Sequence, residues 1–535
     1  MRALRPRTAA LLAGAAVAAA VGAAMPAAPP PVASPSPAAV SPSGRVAAAI
    51  DERRRIDSGA AEDEVVVRQA CSPCHAVAPP DILPRDQWTA KIYEMAGLMM
   101  SGIGAPPGGK ATIPTDFDVD AVERYYKSRA PVTLASPVPW PPVGEGSPRF
   151  ARHVMKLAGA DNQPAISNVR FLDLDGNGEL QVVATDMTHG LVMRGDPRHP
   201  ERGLSVIEHV PNPCHSTLVD LDRDGRLDLL IADLGDVPPA DHLKGSVVWL
   251  QRLADGGYRK HVLASGLPRV ADVQVADFDG DGDLDIIVAA FGWRQVGSLL
   301  LLENRTRDWS HPTFVPHVID QRTGSINVPP VDLNRDGRPD VVTVFSQHYE
   351  TVVAFLNTGG LNFRPETIYT APHPAWGSSG IDVADLDGDG DLDVVLTHGD
   401  MLDDFLLKPY HGIQWLENRG AFPFTEHTLA ALNGVVGPKI VDLDRDGDLD
   451  IVAVAFVPEP RRADQGPAPS LPSLVWLEQV APGRFERHTL EVGGRHVSVD
   501  AADYDHDGDV DLVVGNFLSP TENWVEVWEN LTIKK

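Results

Sequence analysis

The 535-residue chain is short of cysteine, of basic residues and of late apolar runs, and each shortage removes a class of protein. Its three cysteines are Cys71, Cys74 and Cys214. A structural zinc site usually takes a second C-x-x-C or H-x-x-H pair at short range, and none follows the first. Lysine and arginine number 46 against 74 aspartates and glutamates, a formal net charge of −28. That balance disfavours nucleic-acid phosphates and anionic lipid surfaces, which attract positive patches. No segment after the N-terminus approaches the run of about 20 apolar residues that spans a bilayer. No glycine motif that cradles a nucleotide is present, so an organic cofactor has no visible seat.

What is present begins with "MRALRPRTAALLAGAAVAAAVGAAMPA", a basic start, a short alanine-rich apolar run and small residues fit for cleavage. Residues 1–27 are expected to be a secretory signal peptide. Residues 28–50, rich in Pro, Ala and Ser, read as an extended tether that builds no core. Export places the mature chain in the periplasm or outside the cell.

The sequence "GAAEDEVVVRQACSPCHA" at 59–76 predicts a helix that delivers Cys71 and Cys74 on adjacent turns. A thiol redox pair needs a preceding strand, which is lacking. A disulfide across two residues would close too small a loop to stabilise much. Covalent haem accounts for every residue: two thioether bonds fix the porphyrin edge, and His75 is placed to ligate iron. Cys214 is then left as a small buried residue.

Together with "APPDILP", "DQWTAKIYEMAGLMM" and "DVDAVERYYKSRA", the CSPCH segment resembles the small all-α monohaem cytochrome c domains, over residues 51–135. Tyr125 and Tyr126 on the last of these stretches are expected to pack on the first helix. The resemblance implies a methionine as sixth iron ligand. Of Met95, Met99 and Met100, Met95 matches the spacing from Trp88 seen in several such domains.

Beyond a linker at 136–146 the chain repeats an acidic loop seven times: "DLDGNGELQ", "DLDRDGRLD", "DFDGDGDLD", "DLNRDGRPD", "DLDGDGDLD", "DLDRDGDLD" and "DYDHDGDVD". Positions one, three and five are Asp173, Asp175 and Asn177 in the first loop, Asp220, Asp222 and Asp224 in the second, and Asp277, Asp279 and Asp281 in the third. The remaining loops carry Asp332, Asn334 and Asp336, then Asp385, Asp387 and Asp389, then Asp442, Asp444 and Asp446, then Asp503, Asp505 and Asp507. Position nine is Asp228, Asp285, Asp340, Asp393, Asp450 and Asp511, with Gln181 the exception. Position six is always glycine, and position seven varies freely. Alternate carboxylates, a glycine for the sharp turn, one carbonyl at position seven and a closing carboxylate are what a hard cation demands, and Ca²⁺ is the natural choice, up to seven ions. Asp, Asn and Gly also favour plain solvated turns, but such turns would not repeat the ligand positions.

Each loop lies between two apolar runs, making it the turn of a hairpin. A third run ("SVVWLQ", "SLLLLEN", "GIQWLEN") and a fourth with an aromatic or apolar residue three before a histidine complete the repeat. Those histidines, His153, His261, His317, His427 and His488 among them, read as strand residues satisfied by backbone or solvent. Four strands seven times predict an all-β seven-bladed propeller over 147–535. The chain enters on a fourth-type strand and leaves on a third-type strand, so the last blade is completed by the first strand, which removes exposed edges. This region resembles the FG-GAP or VCBS calcium-binding propeller repeats, a resemblance that implies fold and calcium but no reaction.

The expected function is electron transfer by a c-type cytochrome with one covalent haem, the calcium-pinned propeller serving as docking scaffold for a redox partner. The alternatives are a haem-coupled dehydrogenase with a sugar or alcohol in the propeller funnel, and a non-redox adhesion or carbohydrate-binding protein. For the dehydrogenase, Asn168, His215, Asp272, Asn327, Gly380, Gly437 and Ser498, five residues before each loop, would ring the axis, with His189, His348 and His398 on a rim.

Overall fold

A computed structural model describes residues 61–72, 75–100, 118–160, 163–402, 405–457, 471–519 and 522–532. The stretches expected to be signal peptide and tether lie outside them, as does Cys74. Among the described residues no helix is long and apolar enough to cross a membrane.

Twenty-eight strands, β1 to β28, form seven four-stranded antiparallel sheets. Blade 1 is β2 (Ile166–Leu172), β3 (Gln181–Asp186), β4 (Leu191–Gly195) and β5 (Ser205–His209), and blades 2 to 6 follow as β6–β9, β10–β13, β14–β17, β18–β21 and β22–β25. Blade 7 joins β26 (His496–Ala502), β27 (Asp511–Asn516) and β28 (Val525–Asn530) to β1 (Phe150–Met155). The register Phe150↔Asn530 to Met155↔Val525 is the closure that the order of strand types predicts.

The first strands of neighbouring blades pack on one another around the axis. The second strands, such as β11 (Asp285–Ala290) and β23 (Asp450–Ala455), are buried along their length, Gln181 at the start of β3 excepted, because each is covered by a neighbouring blade on both faces. Each of seven apolar clusters joins two adjacent blades. Ile287, Leu301, Val341 and Phe355 link blades 3 and 4, and Ile166, Val182, Val513 and Val527 link blades 1 and 7. Burial at roughly 25 cal/mol per Å² of apolar surface makes these seven layers the main stabilising term. In blade 4 the first strand shrinks to β14 (Pro330–Val331), since Pro329 and Pro330 offer no N–H to a ladder.

Before the propeller come a helix over 61–71, α2 (Trp88–Met100) and α3 (Val119–Arg129), called with the first α1 to α3. Asp118 caps α3 by accepting from Ala121 N. Trp88 stacks on Tyr126 at 3.8 Å, and both share a buried cluster with Val67 of α1 and Tyr125, so the two tyrosines do pack on the first helix. These three helices do not by themselves establish a cytochrome domain. Nor is the segment at 136–146 a free linker: Trp140 Nε1 donates to Ala431 O at 2.9 Å, and Val143 bridges Thr489.

The helical segment packs on the propeller. Ala375, Leu406 and Tyr410 of blades 4 and 5 join its apolar cluster, and Arg294 of blade 3 pairs with Glu94 of α2 at 2.7 Å. These propeller residues lie in second-to-third-strand loops and blade-to-blade connections. The acidic loops, which join first strands to second, therefore occupy the opposite face.

Candidate functional site

In every acidic loop the first-position carboxylate accepts from the sixth-position glycine N–H, as Asp385 Oδ2 does from Gly390 N at 2.9 Å. Those glycines have φ from +83° at Gly337 to +104° at Gly447, where a Cβ would be strained. Position four is left-handed as well, including at Arg223, Arg335, Arg445 and His506 with φ of 58°, 58°, 63° and 61°. The mixed residues there concealed this from sequence reading. An L-residue in that region costs about 1–2 kcal/mol. In two loops the side chain gained is a bridge: Arg335 reaches Asp391 of the next loop at 2.9 Å, and Arg223 reaches Gly282 O and Asp283.

Three carboxylates converge with oxygens within 4.8 Å of one another in five loops, for example Asp220, Asp222 and Asp228, or Asp385, Asp387 and Asp389. Buried first-position oxygens, Oδ1 of Asp385, Asp442 and Asp503, have no hydrogen-bond partner. Orphaned anionic oxygens aimed into an all-oxygen cluster fit a hard divalent cation. The fourth loop, with Asn334, is not among these five, nor is the first. In the first loop Asp175 is already held by Arg252 at 2.6 Å on one oxygen and Gln181 Nε2 at 2.8 Å on the other.

Position nine has a further role that the repeat pattern did not disclose. Asp450 accepts from Leu443 N at 3.0 Å and from Gln479 N at 2.8 Å, tying the loop to the third strand. Asp228, Asp285, Asp340, Asp393 and Asp511 repeat the arrangement. Burial pushes the Asp450 carboxyl up to about 7 and that of Asp511 up to about 8, with neighbouring loop carboxylates adding to the rise.

The expected ring of axial polar groups is built for another purpose. Asn168 accepts from Ser216 N, Asp272 from Val328 N, Asn327 from Ile381 N, and Ser498 from Val169 N, each across a blade boundary. A β-bulge just before these positions in six of the seven innermost strands re-aims the side chains. These residues latch blades rather than wait in water. At the end of the axis where second strands finish, Phe405, Phe456 and Phe517 pack together with Ala165 and Leu234. Four of the fourth-strand histidines are held by third-strand carboxylates, His153 by Glu529, His317 by Glu303, His427 by Glu417 and His488 by Glu478, at 2.7–3.0 Å; His488 also meets the backbone carbonyl of Glu145 at 3.1 Å, as expected, and His261 faces the amide of Gln251. Cys214 sits at the bulge of β6 (Pro213–Val219), and burial pushes its thiol up to about 12, out of the reactive range.

In the helical segment, Cys71 is the last helical residue of α1, and the expectation that Cys74 follows on an adjacent turn lies outside the described residues. Cys71 packs in the cluster of Tyr126, whose hydroxyl burial and the neighbouring thiol push upward in pKa. His75 Nδ1 lies 2.7 Å from Ala76 O, which engages that nitrogen as a donor and leaves Nε2 for a metal. This arrangement fits a tethered haem. Met95 is half-buried on α2 and outside the cluster that contains Cys71. His348, in the loop after β15 (Asp340–Phe345), lies near enough to feel His75: burial first, and that charge second, hold its imidazole down at about 4. Gln347 and Glu350 beside it have φ of 63° and 43°, and Glu350 accepts from Ser378 N at 2.9 Å.

Seven sheets of four with acidic first-turn loops define the class, a seven-bladed β-propeller. More particularly, the family model for the FG-GAP-like repeat matches residues 211–288 and 312–396, so the chain carries FG-GAP-like repeats. No curated protein matches it. Among solved structures it is similar to BBS1N in a complex with ARL6DN, soaked with lead, at 11% identity over 71% of this chain and 98% of that one, TM-score 0.42. It is also similar to selenomethionine-substituted virginiamycin B lyase from Staphylococcus aureus, at 10% identity over 71% and 99%, TM-score 0.45. At such identities and scores these likenesses carry no implication for activity.

Proposed function

We propose that the chain is an exported c-type cytochrome that transfers electrons through one haem on Cys71 and Cys74, with His75 as axial ligand and a calcium-pinned propeller as rigid scaffold. The observation that carries this reading is the poise of His75, whose Nδ1 is committed to a carbonyl beside a cysteine pair suited to thioether attachment. The haem would supply reversible one-electron chemistry. The chain's own residues bury one edge of the site with Val67, Tyr125 and Tyr126 and orient the imidazole through Ala76. The helical segment is fixed to the propeller by Arg294 and the cluster around Tyr410. In the acidic loops the first, third, fifth and ninth positions would hold Ca²⁺, which neutralises carboxylates that otherwise repel one another. A substrate in the axial funnel finds less support, because the equivalent polar positions are spent on blade-to-blade bonds.

The test is full-length protein produced in a host able to attach haem and run on a denaturing gel. A haem-stained band that reduces and reoxidises in solution is expected; a band without covalent chromophore sinks the redox reading.

A further inference from the structure

Blade 1 departs from the other six at one place in its outer strands. Counted from position nine of the acidic loop, Arg194 of β4 stands where the other blades carry Trp249, Leu301, Ala354, Trp415, Trp476 and Val527, all apolar. Its fourth-strand partner is Ser205, where the others carry His261, His317, Glu366, His427, His488 and His153. In blades 2, 5 and 6 the indole and the imidazole at these two places stack at 4.8, 4.7 and 4.5 Å. An arginine and a serine cannot fill the space that two stacked rings fill. Blade 1 has a cavity of about 360 Å³ lined by Arg194 and Ser205, and it reaches Asp175 and Gln181 of the first acidic loop.

The lining sets the chemistry of an occupant. No apolar side chain lines the cavity, so the occupant is polar throughout. The carboxylates there are matched from within: Asp175 by Arg252 and Gln181, and Asp196 by Arg198 Nε at 3.1 Å. Arg198 is spent on Asp196 and Glu179. The guanidinium groups of Arg194 and Arg202, which also line the cavity, have no hydrogen-bond or ion-pair partner among the described residues. Two unmatched guanidiniums side by side in a chain of net charge −28 call for an anion, and their planar fork fits carboxylate or phosphate oxygens. Acceptors remain beside them. Gln181 gives its Nε2 to Asp175 and keeps Oε1, while Ser205 Oγ donates to Arg194 O at 3.3 Å and keeps its lone pairs. Free acceptors next to free guanidiniums suit a molecule with hydroxyls as well as an oxyanion. The volume lies within the roughly 300–1,000 Å³ of small-molecule sites and exceeds what a bare oxyanion needs.

We propose that this cavity of blade 1 binds an acidic sugar, its carboxylate or phosphate group on Arg194 and Arg202 and its hydroxyls on Gln181 and Ser205. The first acidic loop, whose closing carboxylate is replaced by Gln181, then supplies a wall of this site. Nothing in the site depends on the haem.

The test is titration calorimetry at low salt on the full-length protein with glucuronate, glucose-6-phosphate, glucose and inorganic phosphate. Saturable binding of at least one of the two acidic sugars is expected, with glucose and inorganic phosphate each far weaker. Arg194→Leu installs the residue type that blade 3 carries at this place. It should keep the parent melting temperature and weaken the bound sugar about tenfold or more, since hydrogen bonds from a charged donor are lost. The paired variant Arg194→Trp with Ser205→His rebuilds the stack of blades 5 and 6 and should abolish binding. Unchanged affinity in whichever variant keeps the parent melting temperature overturns the inference, as does a parent that binds neither acidic sugar. Glucose binding as tightly as glucuronate overturns the role of the arginines. Inorganic phosphate binding as tightly as glucose-6-phosphate assigns the cavity to a bare oxyanion and overturns the sugar.

Discussion

Glu350 shows how one residue can set a pH dependence. It is 4% exposed, and burial pushes its carboxyl up to about 8 from an ordinary value of 4.5, even though Gly377 N and Ser378 N donate to it. Between those two values the folded state holds a proton that the unfolded chain has lost, so unfolding free energy falls as pH rises from 4.5 through about 8. Glu350→Gln should flatten this slope while lowering stability by about 1–3 kcal/mol at the acid end, where its amide faces a backbone N–H. Urea midpoints measured across that range check it; an unchanged slope refutes the assignment.

At the scale of the element, the acidic loop does two jobs that its repeat pattern merges. Carboxylate oxygens of positions one, three and nine come together in four loops and those of positions one, three and five in another, and position nine also ties the loop to the third strand through two backbone amides. Variants separate the two. Asp450→Ala should cost about 2–4 kcal/mol even without calcium, because Leu443 N–H and Gln479 N–H are left buried and unpaired, and more when calcium is present, because Asp450 also joins the carboxylate cluster. Asp444→Ala should cost stability only when calcium is present. An Asp450→Ala loss that disappears when calcium is removed, read from paired denaturation curves, contradicts the backbone-tying role.

For the whole molecule, stability rests on a closed ring of seven apolar layers, to which the proposed calcium ions would add charge neutralisation along one face. Chelation of calcium should lower the melting temperature, since each ion held at about 100 times its dissociation constant stabilises the fold by about 2.7 kcal/mol. The first loop should contribute least, as Arg252 already holds Asp175. A melting curve indifferent to chelator removes calcium from the account.

The repeat of loop and strand types by itself determined the seven blades, the position-six glycines and the closure of β1 onto β28, because these follow from local chain chemistry that recurs at fixed offsets. Tertiary structure alone decided the rest. Asn168, Asp272 and Asn327 look like a polar ring in the sequence, yet their partners are backbone amides of the next blade, some fifty residues away. His373, Trp376, His398 and His411 follow no repeat, yet the connection into blade 5 and the loop after its second strand stack their rings together. Contacts between distant segments leave no periodic trace, since each side satisfies its own local pattern whatever packs against it.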